Sequence, residues 1–279
     1  MRGMPNKTPT KTTTTKGPFR WTRERRAVME LLHTFYIARV NDLLAIRGDE
    51  SDDVRRNVQY ILARLQERGY VGRLQFFDNV SDSRATVYAY FLTDKGAREL
   101  EDPAAAFSKE SEIIPRHEIE ITQFHIRLYQ WAQKRGLILH WHRPKMNHTK
   151  SINPDARFSI EEPNLPQGKN TTHYFLEIER SPLGNYRDGE PSIVRKLTKY
   201  YEYFNTDACE KDWRFRKFRV ITVVRTADKM YNLCKLMSDK FSHRMFWMTT
   251  EPLFKDNIGG EVFRTPKDFS KSGYSFLSQ

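Results

Sequence analysis

At 279 residues the chain exceeds one average domain, and at roughly 100 to 200 residues per domain it divides most naturally into two. Its 47 Lys and Arg against 35 Asp and Glu leave a formal charge of +12, which favours a polyanionic partner, nucleic acid first. Only two cysteines, Cys209 and Cys234, are present, without CxxC spacing or neighbouring histidines, which argues against structural zinc or disulfides; no apolar run suits a membrane span or secretory signal, so a cytoplasmic protein is expected.

Residues 1 to 19 are basic and too poor in apolar side chains to pack, so a disordered tail is expected there. From Thr22 to Phe35, the apolar residues Ala27, Val28, Leu31, Leu32 and Phe35 recur at helical spacing behind a capping Thr22. A short second helix is predicted over Ile37 to Arg47, ended by Gly48. Ser51 opens a third, with Asp52 and Asp53 at the positive end of its dipole, Val54, Val58, Ile61, Leu62 and Leu65 inward, and a basic opposite face. After Gly69 the period becomes extended: Tyr70 to Phe77, a polar turn around Asn79 to Ser83, then Ala85 to Leu92, which reads as a hairpin before a last short helix at Thr93 to Leu100.

Three helices followed by a hairpin resemble the winged helix-turn-helix family over residues 20 to 101. The resemblance implies that the third helix enters the major groove, making Arg55, Arg56, Asn57, Gln59 and Arg64 candidates for contact with double-stranded DNA. Arg73 and Arg84 lie where a wing reaches backbone phosphates. The blander alternatives are a solvated charged face or a protein-contact domain.

Residues 102 to 115 break the periodicity and read as a linker, so a second domain is expected over 116 to 279. It begins with a strongly periodic helix, His117 to Arg135, closed by Gly136 before the apolar strand Leu137 to Trp141. Extended segments follow at Ile152 to Ile160 and His173 to Arg180. Next come a helix around Ile193 to Phe204, a buried strand at Phe218 to Val224, a helix from Asp228 to Phe241 and a strand near Met245 to Met248. The order is α-β-β-β-α-β-α-β.

Its chemistry lies in Pro154-Asp155 on one strand and Glu177-Ile178-Glu179 on the next, where alternation puts both glutamates on one face. If these strands are neighbours in register, Asp155 and Glu177 can share a hard divalent cation, Mg²⁺ or Mn²⁺, that activates water and neutralises a scissile phosphate. The alternative is a turn residue and two solvated glutamates on an edge strand.

The arrangement resembles the PD-(D/E)XK nuclease superfamily, a mixed sheet flanked by helices, and by that resemblance Asp155 and Glu177 are metal ligands. Glu179 stands where that superfamily usually has lysine; some of its members supply the lysine from the following helix, where Lys196 and Lys199 lie. The resemblance therefore assigns a catalytic set of Asp155, Glu177, Glu179 and Lys196. Arg116-His117-Glu118-Ile119, Ile152-Asn153-Pro154-Asp155-Ala156, Phe175-Leu176-Glu177-Ile178-Glu179-Arg180 and Lys196-Leu197-Thr198-Lys199-Tyr200 together resemble the replication-relaxation family of plasmids and mobile elements. That family also carries a winged helix in front, and it implies a role in DNA replication or mobilisation.

The expectation is a metal-dependent DNA endonuclease, a nickase, with a homodimer left open. One alternative is a non-catalytic DNA-binding replication or regulatory factor with a degenerate nuclease domain. Another rests on His140-Trp141-His142, whose histidines share a strand face as in HUH endonucleases, with Tyr200, Tyr201 or Tyr203 as nucleophile.

Overall fold

The computed structural model describes residues 19–78, 85–103, 106, 115–142, 152–180, 186–187, 190–241, 243–269 and 273–276. Three helices lead the chain: α1 (Arg23–Phe35), α2 (Val40–Arg47) and α3 (Asp52–Glu67). The Thr22 side chain caps α1 by accepting the Arg25 N–H, and Gly48, at φ 70°, ends α2 in the left-handed region that favours glycine. Val28, Met29, Leu32, Leu43, Leu44, Val58, Ile61, Leu62 and Leu65 meet in one core.

Between the first two helices, Ile37–Arg39 forms a strand, β1, rather than the start of the second helix that its composition suggested. Its residues pair antiparallel with Phe91, Tyr90 and Ala89, so ladder bonding overrides a helical preference of three residues. It joins the hairpin β2 (Val71–Asp78) and β3 (Ala85–Leu92) in a sheet of order β1-β3-β2, the winged-helix arrangement, followed by the short helix α4 (Asp94–Glu99). Gly72 is packed under the Phe91 ring, where an added Cβ would lie 2.3 Å from ring carbon, so only glycine fits.

The long helix α5 (Pro115–Lys134) opens the second part, which continues through β4 (Ile138–His142), β5 (Ala156–Glu161), β6 (Thr171–Glu179), β7 (Tyr186–Arg187), β8 (Glu190–Pro191), α6 (Ser192–Phe204) and α7 (Ala208–Trp213). It closes with β9 (Arg219–Val224), α8 (Ala227–Ser238), β10 (Phe246–Thr250) and α9 (Glu251–Asn257). Five strands form a mixed sheet of order β10-β9-β6-β5-β4, parallel across β10, β9 and β6 and antiparallel from β6 to β5 to β4. Alternation divides its side chains between two cores. Phe158, Tyr174, Leu176 and Ile221 face α5 and α9, with Phe263 and Phe276 added from the C-terminal segment. Phe175, Val220, Phe246 and Met248 face α6, α7 and α8.

Helix α5 is shared. Ile121, Phe124, Leu128 and Trp131 face the large sheet, while Ile119 packs on Ile37, Ala89 and Phe91 of the winged helix. The Thr122 hydroxyl donates to the Phe35 carbonyl at 2.9 Å and the Gln130 amide to the Ala45 carbonyl at 2.7 Å, while the His125 ring packs at a tilt against Phe35 with 4.6 Å between centroids.

Candidate functional site

Strands β5 and β6 are antiparallel neighbours with Ala156 opposite Leu176, which sets Asp155 beside Glu177 on the face turned to α6. The Asp155 N–H donates to the Leu176 carbonyl at 3.0 Å and the Ile178 N–H donates to Asp155 Oδ2 at 2.7 Å, so the strand ladder itself orients this carboxylate. Glu177 is 2% exposed.

Helix α6 completes the group. Leu197, Ile193 and Val194 are buried on its inner side, and Lys196 and Tyr200, four residues apart, both reach Glu177. The Lys196 ammonium donates to Glu177 Oε2 and lies 3.8 Å from Asp155 Oδ1; the Tyr200 hydroxyl donates to Glu177 Oε1 at 2.5 Å. Across the sheet end, His117 at the start of α5 brings Nε2 to 3.2 Å from Asp155 Oδ2, and its Nδ1 lies 3.7 Å from Glu118.

Burial pushes the Glu177 carboxyl up to about 8, its two oxygens held but its charge costly. Burial opposes charge on His117, yet the hydrogen bonds to Asp155 and Glu118 outweigh it and raise the imidazole to about 10. Asp155, although desolvated, is held below the ordinary carboxylate range by His117 and Lys196. Lys196 is likewise desolvated but raised by Glu177 and Asp155.

Of the sequence-derived set, Asp155, Glu177 and Lys196 therefore come together. Glu179 shares their sheet face but pairs with Lys229 of α8 at 3.4 Å and borders an open cleft that also takes in Glu120, Arg225 and Glu251. Lys199 is exposed on the outer side of α6, away from the carboxylates. Sequence reasoning left His117 without a role and considered Tyr200 only as a nucleophile. Both were visible, one inside the quoted Arg116-His117-Glu118 string and the other one helical turn after Lys196.

Among the described residues the side chains of the HUH alternative are engaged elsewhere: His140 bonds Glu161 at 2.8 Å on β5, Tyr200 is buried on Glu177, Tyr201 packs on Phe241 with 4.4 Å between centroids, and Tyr203 donates to Asp212 at 2.6 Å.

On the winged helix, Arg56, Asn57 and Gln59 are exposed on α3, joined by Tyr60, a ring 59% exposed that sequence periodicity did not single out. Arg55 donates to Asn41 at 2.5 Å and Arg64 to Glu67 at 2.5 Å, so both are braced within the domain. Arg73 lies over the Tyr88 ring at 4.2 Å, and Arg84 falls outside the described residues.

Among the described residues no three His, Cys, Asp or Glu side chains gather as a metal-binding group. The donor pair nevertheless suits a hard cation. Asp155 and Glu177 already hold one positive charge, the Lys196 ammonium, between them, and the buried Thr222 hydroxyl, paired in the ladder with Glu177, finds no hydrogen-bond partner among the described residues. No described helix is long and apolar enough to cross a membrane.

A family profile described as replication-relaxation matches residues 29–216, spanning the winged helix, α5, the carboxylate strands and α6. No curated protein and no solved structure matches the chain.

Proposed function

The chain belongs to the replication-relaxation family, and from that premise we propose that it is a metal-dependent DNA endonuclease, a nickase, brought to duplex DNA by its winged helix during replication or mobilisation of a mobile element. The observation that carries this reading is the convergence of Asp155 and Glu177, from adjacent strands, on one cationic point beneath α6. Asp155 and Glu177 would hold Mg²⁺ or Mn²⁺, which would supply water activation and charge neutralisation at the scissile phosphate. The chain's own groups do the rest. His117 and the Ile178 N–H fix Asp155, the Tyr200 hydroxyl fixes one oxygen of Glu177, and Lys196 offers its ammonium to phosphate oxygen when the carboxylates are otherwise neutralised. Arg56, Asn57, Gln59 and Tyr60 present the duplex-binding face.

A second reading, a non-catalytic DNA-binding replication factor, is favoured by one observation: Lys196 closes the carboxylate pair, as a structural ion pair does. Incubation of the purified protein with supercoiled plasmid, with and without Mg²⁺ or Mn²⁺, separates the two. The endonuclease reading expects nicked circles that Asp155→Ala and Glu177→Ala each abolish while plasmid binding persists. Uncut plasmid in both metals, with tight binding, leaves the non-catalytic factor.

A further inference from the structure

His140 and His142 have no part in the proposed chemistry, yet they lie on the same sheet face as its carboxylates. Register pairs His142 with Arg157 and His140 with Ser159, and Ser159 in turn with His173, so β4, β5 and β6 present one continuous row of side chains on the side of α6 and α7. Asp155 lies on this face two residues before Arg157, about 7 Å along the strand. The α6–α8 layer does not extend over the outer strand: Ile138 is 43% exposed, and His140 and His142 are exposed beside it.

The inner border of this row is aromatic and basic. The end of α7 and the segment after it, Trp213-Arg214-Phe215-Arg216-Lys217, fold back so that Trp213 lies under the Arg157 guanidinium at 4.5 Å and Phe215 stacks on His173 at 4.0 Å, nearly parallel. Arg214 and Lys217 are exposed there, and the described residues give Arg157 no carboxylate partner. Burial and the nearby Arg157 charge hold His173 down to about 4 and depress His142, so these imidazoles stay neutral and flat while the arginines keep their charge.

We propose that this face of β4, β5 and β6 binds a single strand of DNA and leads it to Asp155 and Glu177. Three strands span only about 10 Å, the breadth of one polynucleotide chain. Neutral ring faces beside fixed guanidinium groups suit unstacked bases and their phosphates, whereas a duplex offers no free base faces. The direction of the path rests on the endonuclease reading; the binding does not.

The test uses the full-length protein with EDTA present, so that cleavage plays no part. Fluorescence anisotropy follows a labelled oligothymidine of roughly 16 nucleotides, the upper site size of one single-strand module, and a duplex of equal length. The combined variant His140→Ala, His142→Ala and Arg157→Gln is expected to lose about thirtyfold or more in single-strand affinity, since two stacking rings and one cation are removed together, with duplex affinity unchanged. Should that variant melt early, His140→Ala with His142→Ala alone decides, since both positions are exposed on an edge strand. Failure of the wild type to bind the oligothymidine, an unchanged single-strand affinity in the variants, or an equal loss for both DNAs overturns the proposal. Uncut plasmid with selective single-strand loss overturns the endonuclease reading alone.

Discussion

Replacing Glu177 by Gln isolates the electrostatic cost of the buried carboxylate, because the amide has the shape of the protonated acid without its charge. With its carboxyl raised from 4.5 to about 8, the folded chain binds a proton at Glu177 that the unfolded chain has already released over this interval. Stability from this group is therefore complete below pH 4.5 and is lost as pH rises through about 8. At about 1.4 kcal/mol per pH unit the full interval amounts to about 5 kcal/mol, a figure in which the Lys196 attraction is already included, since it works against the burial that raises the carboxyl. An effect of about 5 kcal/mol corresponds to a melting difference of roughly 10–20 °C in a chain of this size class. Thermal melts of metal-free wild type and Glu177→Gln should thus coincide near pH 5 and diverge toward pH 8.5, with the variant the more stable. His117 extends the same trend: its raised pKa stabilises the fold below pH 6.5 and ceases to do so as pH climbs through about 10, so wild type and Glu177→Gln alike should continue to weaken above pH 8. A variant less stable than wild type at pH 8.5 would mean that the Lys196 ion pair outweighs desolvation, and parallel curves would mean that Glu177 is ionised throughout; either result refutes the reasoning.

Two further outcomes are expected. At pH 8, excess Mn²⁺ should raise the melting temperature of the wild type by binding the ionised carboxylate pair, by about 2.7 kcal/mol at a hundredfold excess over the dissociation constant, and should leave Asp155→Asn with Glu177→Gln unmoved; equal shifts in both proteins place the metal elsewhere. Arg56→Glu should weaken duplex binding and lower the salt slope by about one unit, and Tyr60→Ala should weaken it without changing that slope, both read by anisotropy across salt concentrations.

The winged helix was legible because its signals are local. Apolar spacing in Val58, Ile61, Leu62 and Leu65, the Thr22 cap and the switch to alternation after Gly69 each act within a few residues. Strand β1 escaped because Ile37–Arg39 owes its form to Phe91, Tyr90 and Ala89, some fifty residues away, and three residues carry no period of their own. The carboxylate pair was legible for the same reason as the hairpin: alternation and adjacency of β5 and β6 suffice to set Asp155 beside Glu177. Lys196 came with Lys199 from the nuclease resemblance, as two candidates on the following helix, and only the packing of α6 on Glu177 separates them. His117 did not, since its approach to Asp155 depends on how α5 crosses the sheet end, and no spacing within α5 encodes that. The single-strand face was hidden too, because it needs β4, β5, β6 and the segment after α7 superposed before His142, Arg157, His173 and Phe215 become one surface.

Helix α5 connects the two halves physically. One side holds the winged helix through Ile119, Thr122, His125 and Gln130, the other side holds the sheet through Ile121, Phe124, Leu128 and Trp131, and its first turn places His117 on Asp155. The Thr122 bond is buried, so breaking it leaves the Phe35 carbonyl unsatisfied at a cost of about 1–3 kcal/mol, and Gln130 adds a second tether two turns on. Two hydrogen bonds and a ring contact at three heights along one helix resist both sliding and rotation. Displacement of the winged helix against the sheet must then either break these contacts or carry α5 with it, and carrying α5 moves the imidazole that fixes Asp155. The exposed surface of α3 that is proposed to meet duplex DNA and the carboxylate pair are in this way held at one separation by side chains. That favours a centre acting at a set distance from the bound duplex over one on a freely swinging tether, since a flexible linker imposes no such distance.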